Sequence, residues 1–517
     1  MSLVSLKYLL FVLTIVIIYY ISPKKFKWLI LLIASYTFYV LSSKKLVIFL
    51  ILSTLSVYLS SLLLGRENKK LNVDISSEEK KILKKEVKKN KKIILITTLF
   101  INFGILVFLK YINFLSIGIN GYLNYVGFNY QIPKFKFLLP LGISYYTLQA
   151  ISYVIDVYRN KYEPTKNIGK VALFVSFFPQ ITEGPIGRFD KLANQLYDSH
   201  KLEFSNILTG FGLIVIGFFK KLVIADRAGI FVNEVFKGNF GGFTVFLAGI
   251  LYTLQIYAEF QGCMDIVSGT AKLFAIDLSK NFNRPFFSKS IQEFWQRWHI
   301  TLGSWIKDYI FYPVSLSKMS MSVNMACRKY LKGHLAKFIT VAFPLLFVWL
   351  FNGLWHGASF KYVAYGMYYY IIMMAGLLFM PIGNKIINAF KINVDSKKYH
   401  LFQILRTNLF VVIGMFLFRS KTLKIFVKKF ITIFTGSYSG ILNHGLFKID
   451  FIILLVYVVV ILILGILNEK GKNTFELFKK IPKIFQVMIF ALIIMLIIIL
   501  GIYGDGYNAS DFIYGQF

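Results

Sequence analysis

Cysteine is nearly absent: Cys263 and Cys327 stand in unrelated contexts without CxxC spacing, so the 517 residues support neither a disulfide framework nor a thiolate metal site. Histidine is also scarce, with six in all, and no HExxH sets two of them on one helical face, which argues against a bound metal. A GxSxG nucleophile elbow is missing, so a serine hydrolase of that kind has no starting point. Gly210, Gly212 and Gly217 imitate a glycine-rich phosphate loop, but they lie in an apolar helical stretch with no preceding strand and read as packing positions. Charge is sparse at 16% of residues, and acidic side chains sparsest, with 24 Asp+Glu against 59 Lys+Arg for a net charge of +35. No groove-reading motif accompanies the basic excess, so nucleic acid is not the expected partner; topology setting and contact with anionic lipid are. No linker separates soluble domains, so residues 1–517 are expected to form a single membrane-embedded domain. Within it, 1–135 would be N-terminal helices, 136–380 the core and 381–517 C-terminal helices.

What the chain has in quantity is apolar sequence. Hydrophobic residues make up 56% and the mean hydropathy is +0.62, so the solvent for most of the chain must be lipid. Apolar runs long enough to cross a hydrocarbon core recur from end to end, with clear starts near Leu9, Leu29, Val47, Ile93, Ile207, Phe243, Ala336, Tyr362, Leu401, Ile452 and Ile484. Because unsatisfied backbone groups are costly in lipid, these runs should be helices, and the strand-period alternation of a membrane barrel is lacking. The expected fold is therefore all-α and polytopic, with about eleven to thirteen transmembrane or re-entrant helices. The first run has no small-residue cleavage site and reads as a retained helix. Between Arg66 and Lys92, eleven Lys/Arg face five Asp/Glu, which puts that loop in the cytoplasm of a multi-pass protein of the cytoplasmic membrane.

Three stretches interrupt the apolar pattern. Leu139 to Gln149 brings Pro, Gly and hydroxyls to membrane depth, which lipid tolerates only where they face protein or a water-filled cavity. Phe177 to Phe189 carries Pro179 and Pro185, which stop a helix, with Gly184 and Gly187 supplying a tight turn. Phe282 to about Lys337 mixes Trp295, Trp298 and Trp305 with Arg297, Lys307 and Asp308, the composition of amphipathic helices lying along an interface.

His356 closes a long apolar run, Phe343 to Leu350, and an ionisable group at that depth is a functional candidate. A neutral imidazole acts as a general base, and Asn352, four residues earlier on the same helical face, is placed to orient the ring or an incoming carbonyl. Gly353 and Gly357 also form a GxxxG pair, a helix-packing device, in which His356 would merely bond across the contact. The residues alone leave both readings open. His299, in Glu293-Phe294-Trp295-Gln296-Arg297-Trp298-His299, is the second candidate, against a role for that segment in interfacial anchoring. The remaining histidines, His200, His334, His400 and His444, fall in polar loops or at span ends.

Six ordered motifs resemble the membrane-bound O-acyltransferase family, in particular its bacterial branch of alginate O-acetyltransferases and teichoic-acid D-alanyl transfer proteins. They are Leu139 to Gln149, Glu183 to Phe189, Phe219 to Arg227, Asn281 to Phe286, Glu293 to Leu302 and Gly353-Leu354-Trp355-His356-Gly357. The resemblance implies helices around a tunnel, with His356 as the catalytic histidine and His299 as its second histidine. Asn352, Trp355, Arg188, Glu259 and Asp265 are the accompanying substrate-binding candidates. Where the family commonly carries Asp-Phe-Ser-Gly-Tyr-Ser-Asp, this chain reads Glu259-Phe260-Gln261-Gly262-Cys263-Met264-Asp265. Both acids survive, and a structural role for them, bonding backbone amides at a broken helix, stands beside a catalytic one. The implied chemistry moves an acetyl group from a cytoplasmic thioester, acetyl-CoA or an acyl-carrier protein thioester, for O-acetylation of an extracellular or cell-wall polysaccharide. The resemblance implies no tightly held cofactor and no metal, and an extracytoplasmic acetyltransferase partner that completes the transfer. The length and the final Asp511 to Phe517 favour the alginate type, with D-alanylation of teichoic acid the runner-up. A non-enzymatic transporter or flippase would show paired inverted halves, which are not found.

Overall fold

The computed structural model describes residues 1–71, 76–128, 130–135, 137–437, 440–442 and 444–503, so the motif at Asp511 to Phe517 lies outside the described residues. Among the described residues the chain is helical, with no strand and one isolated bridge between Phe282 and Trp298. Eight helical runs are long and apolar enough to cross a membrane, nine if the bent pair Phe360–Leu378 and Met380–Ala389 forms one span. The chain is an all-α, multi-pass membrane protein. All eleven starts read from the sequence fall inside helices. The smaller number of runs arises because Leu6–Ile21 is only 16 residues long and because the starts at Leu29 and Val47 share the 47-residue run Lys24–Lys70.

The helices belong to two compact units. The first comprises residues 1–211 and 267–279. It contains α1 (Leu6–Ile21), α2 (Lys27–Ser43), α3 (Val47–Lys70), α4 (Ser77–Tyr125), α5 (Ile143–Tyr158), α6 (Ile168–Ser176) and α7 (Phe189–Tyr197). A capping box between Ser76 and Glu79 starts the 49-residue α4, satisfying orphan amides at both ends of its first turn. Helices α3 and α4 are joined by polar side chains at membrane depth: Ser53 Oγ donates to Asn102 Oδ1 at 2.6 Å, Asn102 Nδ2 to Ser56 Oγ at 2.8 Å and Thr98 Oγ1 to Ser60 Oγ at 2.6 Å. Lipid drives no hydrophobic association between helices, so such bonds and close packing hold them. The first interrupted stretch becomes α5, buried on nearly every face, and the second becomes the turn between α6 and α7.

The second unit comprises residues 212–266 and 280–503 of the described chain. It holds the C-terminal half of α8 (Phe204–Phe218), a π-helical turn over Phe219–Ala225, α9 (Asp226–Lys237), most of α10 (Gly242–Leu273), α11 (Ile291–Arg297) and α12 (Ile300–Ile306). After these come α13 (Tyr312–Ser315), α14 (Lys318–Tyr330), α15 (Gly333–His356), α16 (Phe360–Leu378), α17 (Met380–Ala389), α18 (Lys397–Arg419) and α19 (Leu423–Thr435). The last three are α20 (Lys448–Glu469), α21 (Thr474–Lys480) and α22 (Lys483–Leu500). Two backbone contacts set this unit's centre. A Cβ on Gly217 would fall 2.5 Å from the carbonyl oxygen of Gly262, so α8 meets α10 backbone to backbone just before the π turn. A Cβ on Gly353 would fall 2.4 Å from the carbonyl oxygen of Tyr362, so α15 and α16 close as tightly. The glycine of the GxxxG pair therefore does pack two helices, and in doing so brings His356 against α16.

Candidate active site

His299 sits between two short helices in a left-handed conformation, φ 47° and ψ 51°, as the residue before α12. Its own side chain does not cap that helix. The first amides of α12 are met from outside: Ile300 N donates to the Asn281 carbonyl and Thr301 N to Asn281 Oδ1, both at 3.0 Å. The ring is buried, 2% exposed, with Phe260 of α10 edge-on at 4.8 Å between centroids. The tryptophans expected to anchor this segment at an interface instead turn inward, Trp298 against Phe282 and Phe294, and Trp305 against Phe351. Bonds from the 281–283 backbone fold the segment back onto the protein, so its apolar face is covered by neighbouring rings.

His356 is the last residue of α15 and is likewise 2% exposed. Its ring meets Trp355 at 5.0 Å, Phe418 at 5.2 Å, Tyr365 at 5.7 Å and Tyr362 at 6.4 Å. The indole of Trp355 also meets His299 at 5.6 Å, so one aromatic plate touches both imidazoles. The two candidate histidines, 57 positions apart in sequence, are thus joined through Trp355.

Beside them lies a cavity of about 1130 Å³, lined chiefly by apolar side chains of α11, α12, α15, α16 and α18. His299 and Asn352 line it, whereas His356 does not. Four buried polar atoms on its lining side chains find no hydrogen-bond partner among the described residues: the indole Nε1 of Trp295 and of Trp349, Asn352 Oδ1 and Thr407 Oγ1. An apolar cavity with a few convergent donors and acceptors has the make-up of a ligand site, because each such group left without a partner costs about 1 to 3 kcal/mol. Asn352 Oδ1 therefore does not orient His356; it belongs to the cavity wall.

Glu259 and Asp265 lie on α10, and each meets a lysine ammonium group. Lys221 Nζ sits 2.8 Å from Glu259 Oε1 and 2.9 Å from Asp226 Oδ1, with all three side chains buried, and Lys220 Nζ sits 2.6 Å from Asp265 Oδ2. The π turn widens the backbone so that these consecutive lysines both reach α10. This pairing was missed in the sequence although Lys220, Lys221 and Asp226 stand inside an apolar run, the signal by which ionisable groups in spans are found. Arg188 belongs to the first unit, where it is the residue before α7, without a side-chain capping bond, next to Gly187, whose amide donates to Gln149 Oε1 at 3.0 Å. Three other histidines bond main-chain carbonyls: His200 to Gln195, His334 to Leu377 and His444 to Gly440.

His299 lies outside the candidate spans, and burial holds its imidazole well below the usual 6.5, at about 3. The folded protein keeps the ring neutral where the unfolded chain takes up a proton, so this contribution to stability is complete above about pH 6.5 and is lost as pH falls toward 3. By pH 5 the loss amounts to about 2 kcal/mol. Thermal melts of the detergent-solubilised protein should therefore drop more steeply between neutral pH and pH 5 for the wild type than for His299→Gln. Parallel curves would assign the acid sensitivity to another group.

The membrane-bound O-acyltransferase family model matches residues 164–420, which contain every candidate site residue named above. The chain is 30% identical over 411 residues to a probable alginate O-acetylase of Pseudomonas syringae pv. tomato, covering 79% of this chain and 70% of the relative. It is 31% identical over 305 residues to a peptidoglycan O-acetyltransferase of Helicobacter pylori, covering 54% of each. A teichoic acid D-alanyltransferase of Bacillus subtilis is 28% identical over 297 residues, covering 56% of this chain and 71% of the relative. With two buried imidazoles against one indole, a polar-studded cavity at their side and these relatives, the chain belongs to the membrane-bound O-acyltransferase family and is an acyltransferase.

Proposed function

We propose that this acyltransferase takes an acetyl group from a thioester donor at the cytoplasmic face, acetyl-CoA or an acyl-carrier protein thioester, for O-acetylation of an extracellular or cell-wall polysaccharide. The observation that carries the reading is the pair of buried imidazoles on Trp355, with His299 facing the cavity and His356 set behind the indole. The thioester arm occupies the cavity, where its amides meet the indole N–H groups and Asn352 Oδ1. His356 accepts the proton of the acceptor hydroxyl as its oxygen attacks the thioester carbonyl. The C–O bond forms, the C–S bond breaks, and the imidazolium returns the proton to the departing thiolate, so no net charge is left in an apolar site. Exclusion of bulk water limits hydrolysis of the donor. The protein sits in the cytoplasmic membrane, its basic loops drawing an anionic donor, and an extracytoplasmic acetyltransferase partner completes delivery to the polymer.

Acetyl is favoured over D-alanyl by the cavity wall. A D-alanyl thioester carries an ammonium group beside its carbonyl, and the cavity through which the donor would reach His356 is lined by Lys307 and Arg406 but by no Asp or Glu. Acetyl- and D-alanyl-pantetheine share one arm and differ only in the acyl group. Given separately to the protein in nanodiscs with a crude envelope extract that supplies both the polysaccharide and its extracytoplasmic proteins, acetyl-pantetheine should release thiol at least about tenfold faster. Faster turnover of the D-alanyl thioester would overturn the acetyl assignment.

A further inference from the structure

Asn281 lies in the motif Asn281 to Phe286, to which the reaction as described gives no part. Its side chain is buried, and both its oxygen and its nitrogen make hydrogen bonds. Oδ1 accepts from Thr301 N at 3.0 Å and from Thr301 Oγ1 at 2.7 Å, while Nδ2 donates to Met264 Sδ at 3.0 Å. Its main-chain oxygen accepts from Ile300 N, also at 3.0 Å. One residue thus supplies partners for the first two amides of α12, the work ordinarily done by the residue before a helix, and ties that helix start to α10.

The residue in the ordinary capping position is His299. An asparagine or serine there would cap α12 with its own side chain, but the ring at 299 is directed at Phe260 and Trp355. Held in the left-handed region, which a non-glycine residue enters only at a cost, His299 keeps that conformation because its surroundings fix it. The bonds to Ile300 and Thr301 fix the chain immediately after it. On the other side, Asn283 N donates to the Arg297 carbonyl at 2.9 Å, and Phe282 bridges Trp298. Residues 281–283 therefore clamp the backbone on both sides of the histidine.

We infer that Asn281 is the positioning residue of His299: by capping α12 in place of the histidine, it frees the imidazole to face the cavity and holds it at the Trp355 plate. The inference rests on His299 taking part in acyl transfer. A ring displaced by about 1 Å costs on the order of a hundredfold in rate while leaving donor binding in the rest of the cavity largely intact.

The test is a double-mutant cycle on the full-length protein in nanodiscs, with acetyl-pantetheine as donor. Asn281→Leu keeps the branched side-chain shape and removes both side-chain functions, and should lower kcat by roughly 10- to 100-fold with KM for the donor changed less than about threefold. In the His299→Gln background the same substitution should cost less than about twofold, because the ring it positions is gone. Full additivity of the two losses would overturn the inference and leave Asn281 a structural residue. Wild-type turnover by His299→Gln alone would instead overturn the role of His299. Should Asn281→Leu fail to insert, Thr301→Val, which removes the hydroxyl bond to Oδ1 and keeps the amide bond, carries the same cycle with a smaller first step.

Discussion

His356→Ala is expected to lower acyl transfer by on the order of a thousandfold, the loss that follows removal of a positioned general base. The ring is enclosed by Trp355, Tyr362, Tyr365 and Phe418, so alanine also leaves a void at the end of α15. His356→Gln fills most of that space and serves as the control: it should insert and melt like the wild type yet transfer acyl groups no faster than the alanine variant. The measurement is acetate released by alkaline treatment of purified surface polymer, set against the amount of folded protein in the membrane. Wild-type acetylation by either correctly inserted variant would remove His356 from the reaction and leave it a packing residue between α15 and α16.

The second large effect is on stability. Lys221→Met takes away the ammonium shared by Asp226 and Glu259 and leaves two carboxylates buried side by side. Stripping one partner from a buried ionic cluster costs about 3 to 5 kcal/mol, which for a membrane helix pair should appear as poor accumulation or a melting temperature lowered by many degrees. Adding Asp226→Asn and Glu259→Gln to Lys221→Met neutralises the cluster and should restore most of that loss, since a neutral, hydrogen-bonded replacement removes the desolvation penalty as well as the attraction. A triple variant as unstable as Lys221→Met would show that packing around the lysine stem, and not charge, holds α10 to the π turn. Because Phe260 follows Glu259 and rests on His299, the stability of this cluster reaches the site through one ring.

Residue by residue, the two levels of information divide cleanly. Each apolar run announced its helix because helix length in lipid is dictated by bilayer thickness and by the need to satisfy every backbone group within the segment. The glycines were equally legible as close contacts, and the structure puts Gly217 on Gly262 and Gly353 on Tyr362. Long charged side chains were not. Lys220 and Lys221 were visible as ions in an apolar run, yet the α10 carboxylates they reach, Asp265 and Glu259, lie 45 and 38 positions away, and no spacing rule reaches that far. The tryptophans at 298 and 305 misled for the same reason, since an aromatic beside a charge looks alike in sequence whether it faces headgroups or other rings.

By itself, then, the sequence determined an all-α membrane protein, its helix positions and the two histidines to examine, because hydrophobic length and short motifs are local properties of the chain. Tertiary structure alone decided that Trp355 joins those histidines, that Asn352 belongs to a cavity wall, that Glu259 and Asp265 hold lysines and that Asn281 caps the helix beside His299. Each of these is a contact between distant segments, and its energy depends on burial and direction that exist only once the helices have packed.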